Sequence, residues 1–240
     1  MNFDYTFLNL TGAGTMLLFT SYLDLKKREV EDKIWIIFGG LAVVLQMYEI
    51  LIGHSNAIML GISILLATVI GLGLFFMGFY GGADGKALIV LAVFVPIFTP
   101  RVGLYAIAPL IVLTNGVLIS IFLPVTMFML NLSRLLRHKQ IFEGFEEPTG
   151  RKILACLLGF KQTGKPREFQ FVMEKTVQTE DGRNERRFDF SLMHDEFETK
   201  SGTWVTPGIP LLVFFTIGYF VLLLYGDIVI ALIRFLASIA

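Results

Sequence analysis

At 240 residues, with 55% hydrophobic, 13% aromatic and 17% charged side chains, the chain is too apolar for an ordinary soluble domain and reads as a polytopic membrane protein. Its 20 Lys+Arg balance its 20 Asp+Glu, so no basic excess points to nucleic acid. A single cysteine, Cys156, excludes an intrachain disulfide and a multi-thiolate zinc site, and His54, His138 and His194 form no pair with ligand spacing, so neither metal nor cofactor is expected.

The first thirty residues lack the basic start and short apolar core of a cleaved signal peptide, and their apolar run is long enough to stay in a membrane. About 20 mostly apolar residues cross a hydrocarbon core as helix. Six segments qualify: residues 5–23, 34–52, 57–77, 86–98, 103–131 and 206–225. The fourth is short, and the fifth is long with Pro109 and Pro124 as expected kinks. Glycines 71, 73 and 78 at the third segment suit close helix packing. The tail GDIVIALIRFLASIA is too short to cross again, so it either extends the sixth helix or lies at the interface.

Basic residues mark cytoplasmic loops. Lys26, Lys27, Arg28 and Lys33 follow the first segment, and thirteen Lys+Arg lie in residues 134–204, whereas GHSN after the second has none and TPRV after the fourth has one. This predicts a multi-pass protein of the cell membrane with its N-terminus outside and the loops after segments one, three and five in the cytoplasm.

The expected organisation is therefore a membrane domain over 1–133, a small cytoplasmic α+β domain over 134–204, and a sixth span with the tail over 205–240. In the soluble block, GRKILACLLGF reads as a short apolar helix with Cys156 buried in it. EFQFVMEKTVQ alternates Phe169, Phe171 and Met173 on one face, RRFDFSLM does the same with Phe188, Phe190 and Leu192, and the turn chemistry of TEDGRNE between them predicts a β-hairpin. Trp204 is expected as an interfacial aromatic where the chain returns to the membrane.

Two carboxylates stand apart from the polar loops. Asp24 ends the first segment and Asp84 opens the fourth, both at the predicted cytoplasmic edge, where a carboxylate is costly unless it has a function. Two aspartates held close cannot both ionise, so they share one proton. The ionised member then activates a water while the protonated one binds a peptide carbonyl. Gly81 and Gly82 let the chain turn and leave space for a substrate backbone. A tight turn with Asp84 capping the next helix also accounts for the stretch. Glu49 and Asp227 fall near the outer surface, away from this pair.

GGADGK, residues 81–86, resembles the G-x-G-D-x-K signature of the membrane aspartic peptidases that process type IV prepilins and archaeal preflagellins. DLKKREVED, residues 24–32, resembles that family's other motif, an aspartate followed by basic residues and an Ile-Pro-Asn-like triplet, here Val30, Glu31 and Asp32. The resemblance implies Asp24 and Asp84 as catalytic residues, Gly81, Gly82, Ala83 and Lys86 as supporting positions, and cleavage of a basic leader from a long apolar helix at the cytoplasmic face. Ala83 stands where a second glycine is usual, and the cytoplasmic insert with paired C-x-x-C motifs found in many bacterial members is missing, which argues against a methyltransferase activity. Glu29, Glu31 and Asp32 are positioned to attract a basic leader, or are solvated loop charges. Lys86 either tunes the aspartates or anchors its helix at the interface. Apart from the resemblance, a proton-coupled transporter with a carboxylate relay and an inactive scaffold of a secretion or filament machine also remain open.

Overall fold

Long apolar runs bounded by turn residues fold as helices throughout the computed structural model, which describes residues 5–77, 81–98, 107–163, 170–178, 184–190 and 202–239. In chain order the helices among the described residues are α1 (Tyr5–Lys27), α2 (Asp32–Leu51), α3 (Ala57–Phe76), α4 (Gly82–Phe94), α5 (Ala108–Ser120), α6 (Phe122–Leu136), α7 (Thr149–Leu158), α8 (Leu211–Leu224) and α9 (Ile228–Ile239). The strands are β1 (Phe160–Lys161), β2 (Gln170–Val172), β3 (Glu174–Gln178), β4 (Asn184–Phe188) and β5 (Trp204–Pro207). The chain divides into two units, residues 1–119 with 210–240, and residues 120–209.

By length and apolarity, α2, α3 and the stretch Ala108–Leu136 can cross a membrane, and α8 with α9 makes a fourth candidate, bent by 61°. The last pair explains the tail. Gly226 adopts φ 118°, a left-handed value that ends α8, and Asp227 Oδ1 accepts from the N–H groups of Val229 and Ile230 to start a new helix. The bend is held from outside by Asn115, whose Nδ2 donates to Gly226 O at 2.9 Å and whose Oδ1 accepts from Ile228 N at 3.0 Å. Among the described residues the fifth apolar segment is helical from Ala108 and is interrupted at Ile121, and residues 103–106 lie outside the described part. Pro124 has no N–H for the carbonyl of Ser120, and its ring crowds that carbonyl, so the helix breaks one residue beyond it. Residues 99–102, the TPRV loop, lie outside the described part.

In the first unit, α4 is the central helix. It has only 13 residues, about 20 Å of rise against a hydrocarbon core of about 30 Å, and after Lys86 it is apolar on every side. A helix apolar all round belongs inside other helices, and α4 packs on α1, α2, α3 and α8, burying Leu88, Leu91, Ala92 and Phe94 almost completely. The neighbours turn small or single-faced stripes toward the interior. In α3 the buried residues are Ser63, Ala67 and Gly71, one every fourth position, while Ile58, Leu65, Val69 and Phe76 face outward. In α2 they are Trp35, Ala42, Gln46 and Glu49. Hydrogen bonds join α1 to α8. Ser21 Oγ lies 2.6 Å from Thr216 Oγ1, Thr216 also donates to Leu17 O, and Tyr219 OH donates to Leu10 O at 2.7 Å. Each such bond between membrane helices is worth about 0.6 kcal/mol.

The second unit has its own core of Ile141, Phe145, Ala155, Cys156, Met173, Phe188 and Trp204. Helix α7 forms as its apolar segment predicts. Buried Asn131 ties α6 to its C-terminus by donating to Cys156 O and Gly159 O. Strands β3 and β4 pair antiparallel with Glu174 opposite Phe188. The residues expected as one hairpin arm are split, because β2 leaves that pair and joins β5 in a three-stranded sheet of order β1-β5-β2. The change falls at buried Met173, whose N–H donates to Trp204 O while its carbonyl accepts from Asp189 N. Phe169, the turn residues 179–183 and Leu192 lie outside the described residues. Trp204 is a core residue rather than an interfacial anchor. It is fully buried, stacks on Phe142 at 5.4 Å, meets Phe188 edge to face, and donates its indole N–H to Ile141 O.

Candidate active site

Helix α1 runs past its last apolar residue to Lys27 and ends at Arg28, whose φ of 56° stops further helical winding. Asp24 therefore sits in the final helical turn, half buried, with its carbonyl accepting from Arg28 N at 3.0 Å and the Arg28 charge within Coulombic reach of its carboxylate. Asp84 lies in the first turn of α4 and is 8% exposed. Its Oδ2 accepts from Gly81 N at 3.0 Å and its own N–H donates to Gly81 O at 3.1 Å. Asp84 therefore closes the start of the helix from the third helical position, and the bond engages only one carboxylate oxygen.

The two aspartates come to the same level because α1 and α4 pack side by side in opposite directions. Gly12 meets the ring of Phe94, so closely that a Cβ on Gly12 would lie 2.7 Å from Phe94 Cε1. From that contact, twelve residues forward on α1 and ten back on α4 are about 18 Å and about 15 Å of rise, which brings Asp24 and Asp84 to a similar level at the same end of the first unit.

The position of Asp84 is set from behind by a backbone contact. A Cβ on Gly71 of α3 would lie 3.3 Å from Gly85 Cα and 3.4 Å from Gly85 O, so α3 and α4 touch main chain to main chain next to Asp84. Gly85 was missed as a supporting residue. Its signal was the glycine on the far side of Asp84 facing the glycines of the third segment. Of those, Gly71 makes the close approach, Gly73 has open space, and Gly78 lies outside the described residues. Gly81 and Gly82 do not supply a sharp turn through unusual backbone. Gly81 has φ −73°, ordinary for any residue, and both are exposed, a Cβ on Gly81 meeting Asp84 Oδ2 at 3.4 Å and one on Gly82 meeting Phe75 Cε2 at 3.9 Å. Ala83 packs its methyl on the core of the first unit.

The first motif holds the adjoining helix. Val30 is 7% exposed and anchors the turn in the core. Glu31 precedes α2 with φ −60°, the value a proline ring would impose, so the backbone of the Ile-Pro-Asn-like triplet is kept without the proline. Asp32, in the first turn of α2, forms an ion pair with Lys86 of α4, which links the two motifs directly. Glu29, Glu31 and Asp32 are all exposed. Among the described residues no three His, Cys, Asp or Glu side chains are grouped as metal ligands.

A family model described as the type IV leader peptidase family matches residues 13–130, a stretch that contains both aspartates and both motifs. The preflagellin peptidase of Methanococcus voltae is 28% identical over 230 residues, covering 90% of this chain and 94% of that protein. The preflagellin peptidase of Methanococcus maripaludis is 28% identical over 232 residues, covering 88% and 92%. That of Methanocaldococcus jannaschii is 26% identical over 249 residues, covering 94% and 97%.

Proposed function

Because the chain belongs to the type IV leader peptidase family, we propose that it is an aspartic endopeptidase that removes leader peptides from preflagellin-like or prepilin-like membrane proteins, with Asp24 and Asp84 as the catalytic pair. The observation that supports this is the packing of α1 against α4, with Asp24 in the last turn of one helix and Asp84 in the first turn of the other.

With one proton between them, the ionised carboxylate takes a proton from water as the water oxygen bonds to the scissile carbonyl carbon. The protonated carboxyl donates to the carbonyl oxygen. Collapse of the tetrahedral adduct breaks the C–N bond, a proton passes to the leaving nitrogen, and the pair returns to its singly protonated state. The exposed space beside Gly81 and Gly82 admits an extended substrate backbone. Glu29 and Glu31 face solvent near Asp24 in sequence and attract the basic leader, whereas the charge of Asp32 is already engaged by Lys86.

Six membrane spans with an outside N-terminus place this end at the cytoplasmic face, where the leader joins the substrate's apolar helix. In this arrangement α1 and α4 count as spans because neighbouring helices cover α4 and α1 is hydrogen-bonded to α8. Cleavage rate against pH tests the chemistry. A singly protonated pair predicts a bell-shaped profile, falling on the acid side when both carboxyls are protonated and on the alkaline side when both ionise. A rate independent of pH from 4 to about 9 would rule the pair out.

A further inference from the structure

The end of the first unit remote from Asp24 and Asp84 holds a half-open cavity of about 310 Å³. Asn9 of α1, Gln46 and Glu49 of α2, and His54 and Ser55 of the following turn form its polar side, and Phe94 at the end of α4 lies on its apolar side. The space corresponds to roughly ten water volumes.

Asn9, Gln46 and Glu49 are 3%, 1% and 8% exposed. Even so, Asn9 Oδ1 and Nδ2, Gln46 Oε1 and Glu49 Oε1 have no hydrogen-bond partner among the described residues. Gln46 is oriented by its Nε2, which donates to Ser55 Oγ and leaves Oε1 as the acceptor. The turn is held in place because the N–H groups of His54 and Ser55 donate to the Glu49 carbonyl at 2.9 and 3.2 Å. Buried polar atoms without partners are costly to keep. Here four of them belong to three side chains, from two helices, that line one cavity.

We propose that this cavity binds a primary ammonium headgroup of the aminoethyl-phosphate kind carried by membrane lipids. A primary ammonium has three N–H donors and no acceptor, which matches the three unpartnered oxygens in number and the Glu49 carboxylate in charge. The remaining Asn9 Nδ2 donates to an oxygen of the adjoining phosphate. Phe94 covers the methylenes between them. A calcium ion needs six to eight oxygen ligands, more than are grouped here, and a choline headgroup has the charge but no N–H to donate. The site lies where the apolar lengths of α2 and α3 end, the level at which lipid headgroups sit.

The test is native mass spectrometry of the full-length protein loaded with phosphoethanolamine or phosphocholine lipids of identical acyl chains. Retention of the ethanolamine lipid should exceed that of the choline lipid by about tenfold. Glu49→Gln and Asn9→Leu should each bring the ratio close to one, and Asn9→Leu alone decides if the Glu49 variant does not fold. Soluble O-phosphoethanolamine as competitor separates the sources. Displacement of the lipid assigns recognition to the headgroup alone, and selectivity without displacement assigns it to the membrane-anchored molecule. Equal retention of the two lipids by the unaltered protein, or a preference that survives Asn9→Leu, overturns the proposal.

Discussion

If the α3–α4 backbone contact positions Asp84, the two glycines that make it should respond unequally to alanine. A Cβ on Gly71 would lie 3.3 Å from Gly85 Cα, against an unstrained carbon–carbon separation of about 3.5–4.0 Å. Its neighbours are main-chain atoms of a fully packed helix, so α4 has to move by about 0.4 Å. The reverse substitution places a Cβ on Gly85 at 3.5 Å from Gly71 O and 3.6 Å from Gly71 C, which is ordinary contact. Both positions are helical, so the gain of about 1 kcal/mol from replacing glycine is common to the two variants and cancels in the comparison. Overpacking then costs Gly71→Ala about 1–3 kcal/mol more than Gly85→Ala. Misplacing a catalytic group by 1 Å costs about 100-fold in rate, so a 0.4 Å shift corresponds to roughly sixfold. The assay is leader cleavage by protein reconstituted in vesicles, with thermal unfolding in detergent measured alongside. Gly85→Ala falling further than Gly71→Ala in rate or in Tm would refute the idea that this contact seats Asp84.

Asn115→Ala leaves Gly226 O and Ile228 N without their buried partner, which should destabilise the first unit by about 1–3 kcal/mol in denaturation. An unchanged midpoint would show that the α8–α9 bend holds without Asn115. The ion pair of Lys86 and Asp32 is exposed on both sides, so a double-mutant cycle should give a coupling of about 0.2–1 kcal/mol that shrinks in high salt. A coupling above about 2 kcal/mol would mean that the pair is shielded from water. Burial pushes the Cys156 thiol from 9.0 up to about 11, so at pH 8 its thiolate fraction falls by about 100-fold and alkylation of the folded protein should slow accordingly. Because the folded form holds this proton more tightly, its contribution to stability is complete below pH 9 and is lost as pH rises from 9 toward 11. Alkylation as fast in the folded as in the unfolded chain would contradict the burial of Cys156.

Local sequence carried those parts of the fold that depend on near neighbours in the chain. Apolar length located α2 and α3, and the apolar stretch around Cys156 announced α7, whereas the fourth segment, expected over residues 86–98, forms a helix over Gly82–Phe94 whose enclosure by four others was not read from its length. Parts that depend on distant partners were not legible. Trp204 looks interfacial until Phe142, Phe188 and Ile141 surround it, and Met173 looks like mid-strand until β5 captures the residues before it. The bend after α8 needs Asn115, more than a hundred residues earlier. At the candidate site the positions of the two aspartates at helix ends were legible, because each lies at the boundary of an apolar run beside basic or glycine residues. Gly85 was not, because its role exists only where Gly71 arrives from another helix. Lys86 and Asp32 each stood out in a motif, but their pairing, 54 positions apart, was not legible.

Replacing each aspartate by asparagine tests most directly whether Asp24 and Asp84 form the hydrolytic pair. Asparagine keeps the size of the side chain and removes its ability to ionise, so inserted and folded Asp24→Asn and Asp84→Asn variants, verified by an unchanged proteolytic pattern, should each cleave a co-reconstituted preflagellin-like substrate at least about 1,000-fold more slowly than the unaltered protein. The double variant should be no slower than the slower single one, because the two act as a unit. Cleavage within a factor of about two of the unaltered rate in either folded variant would contradict the account.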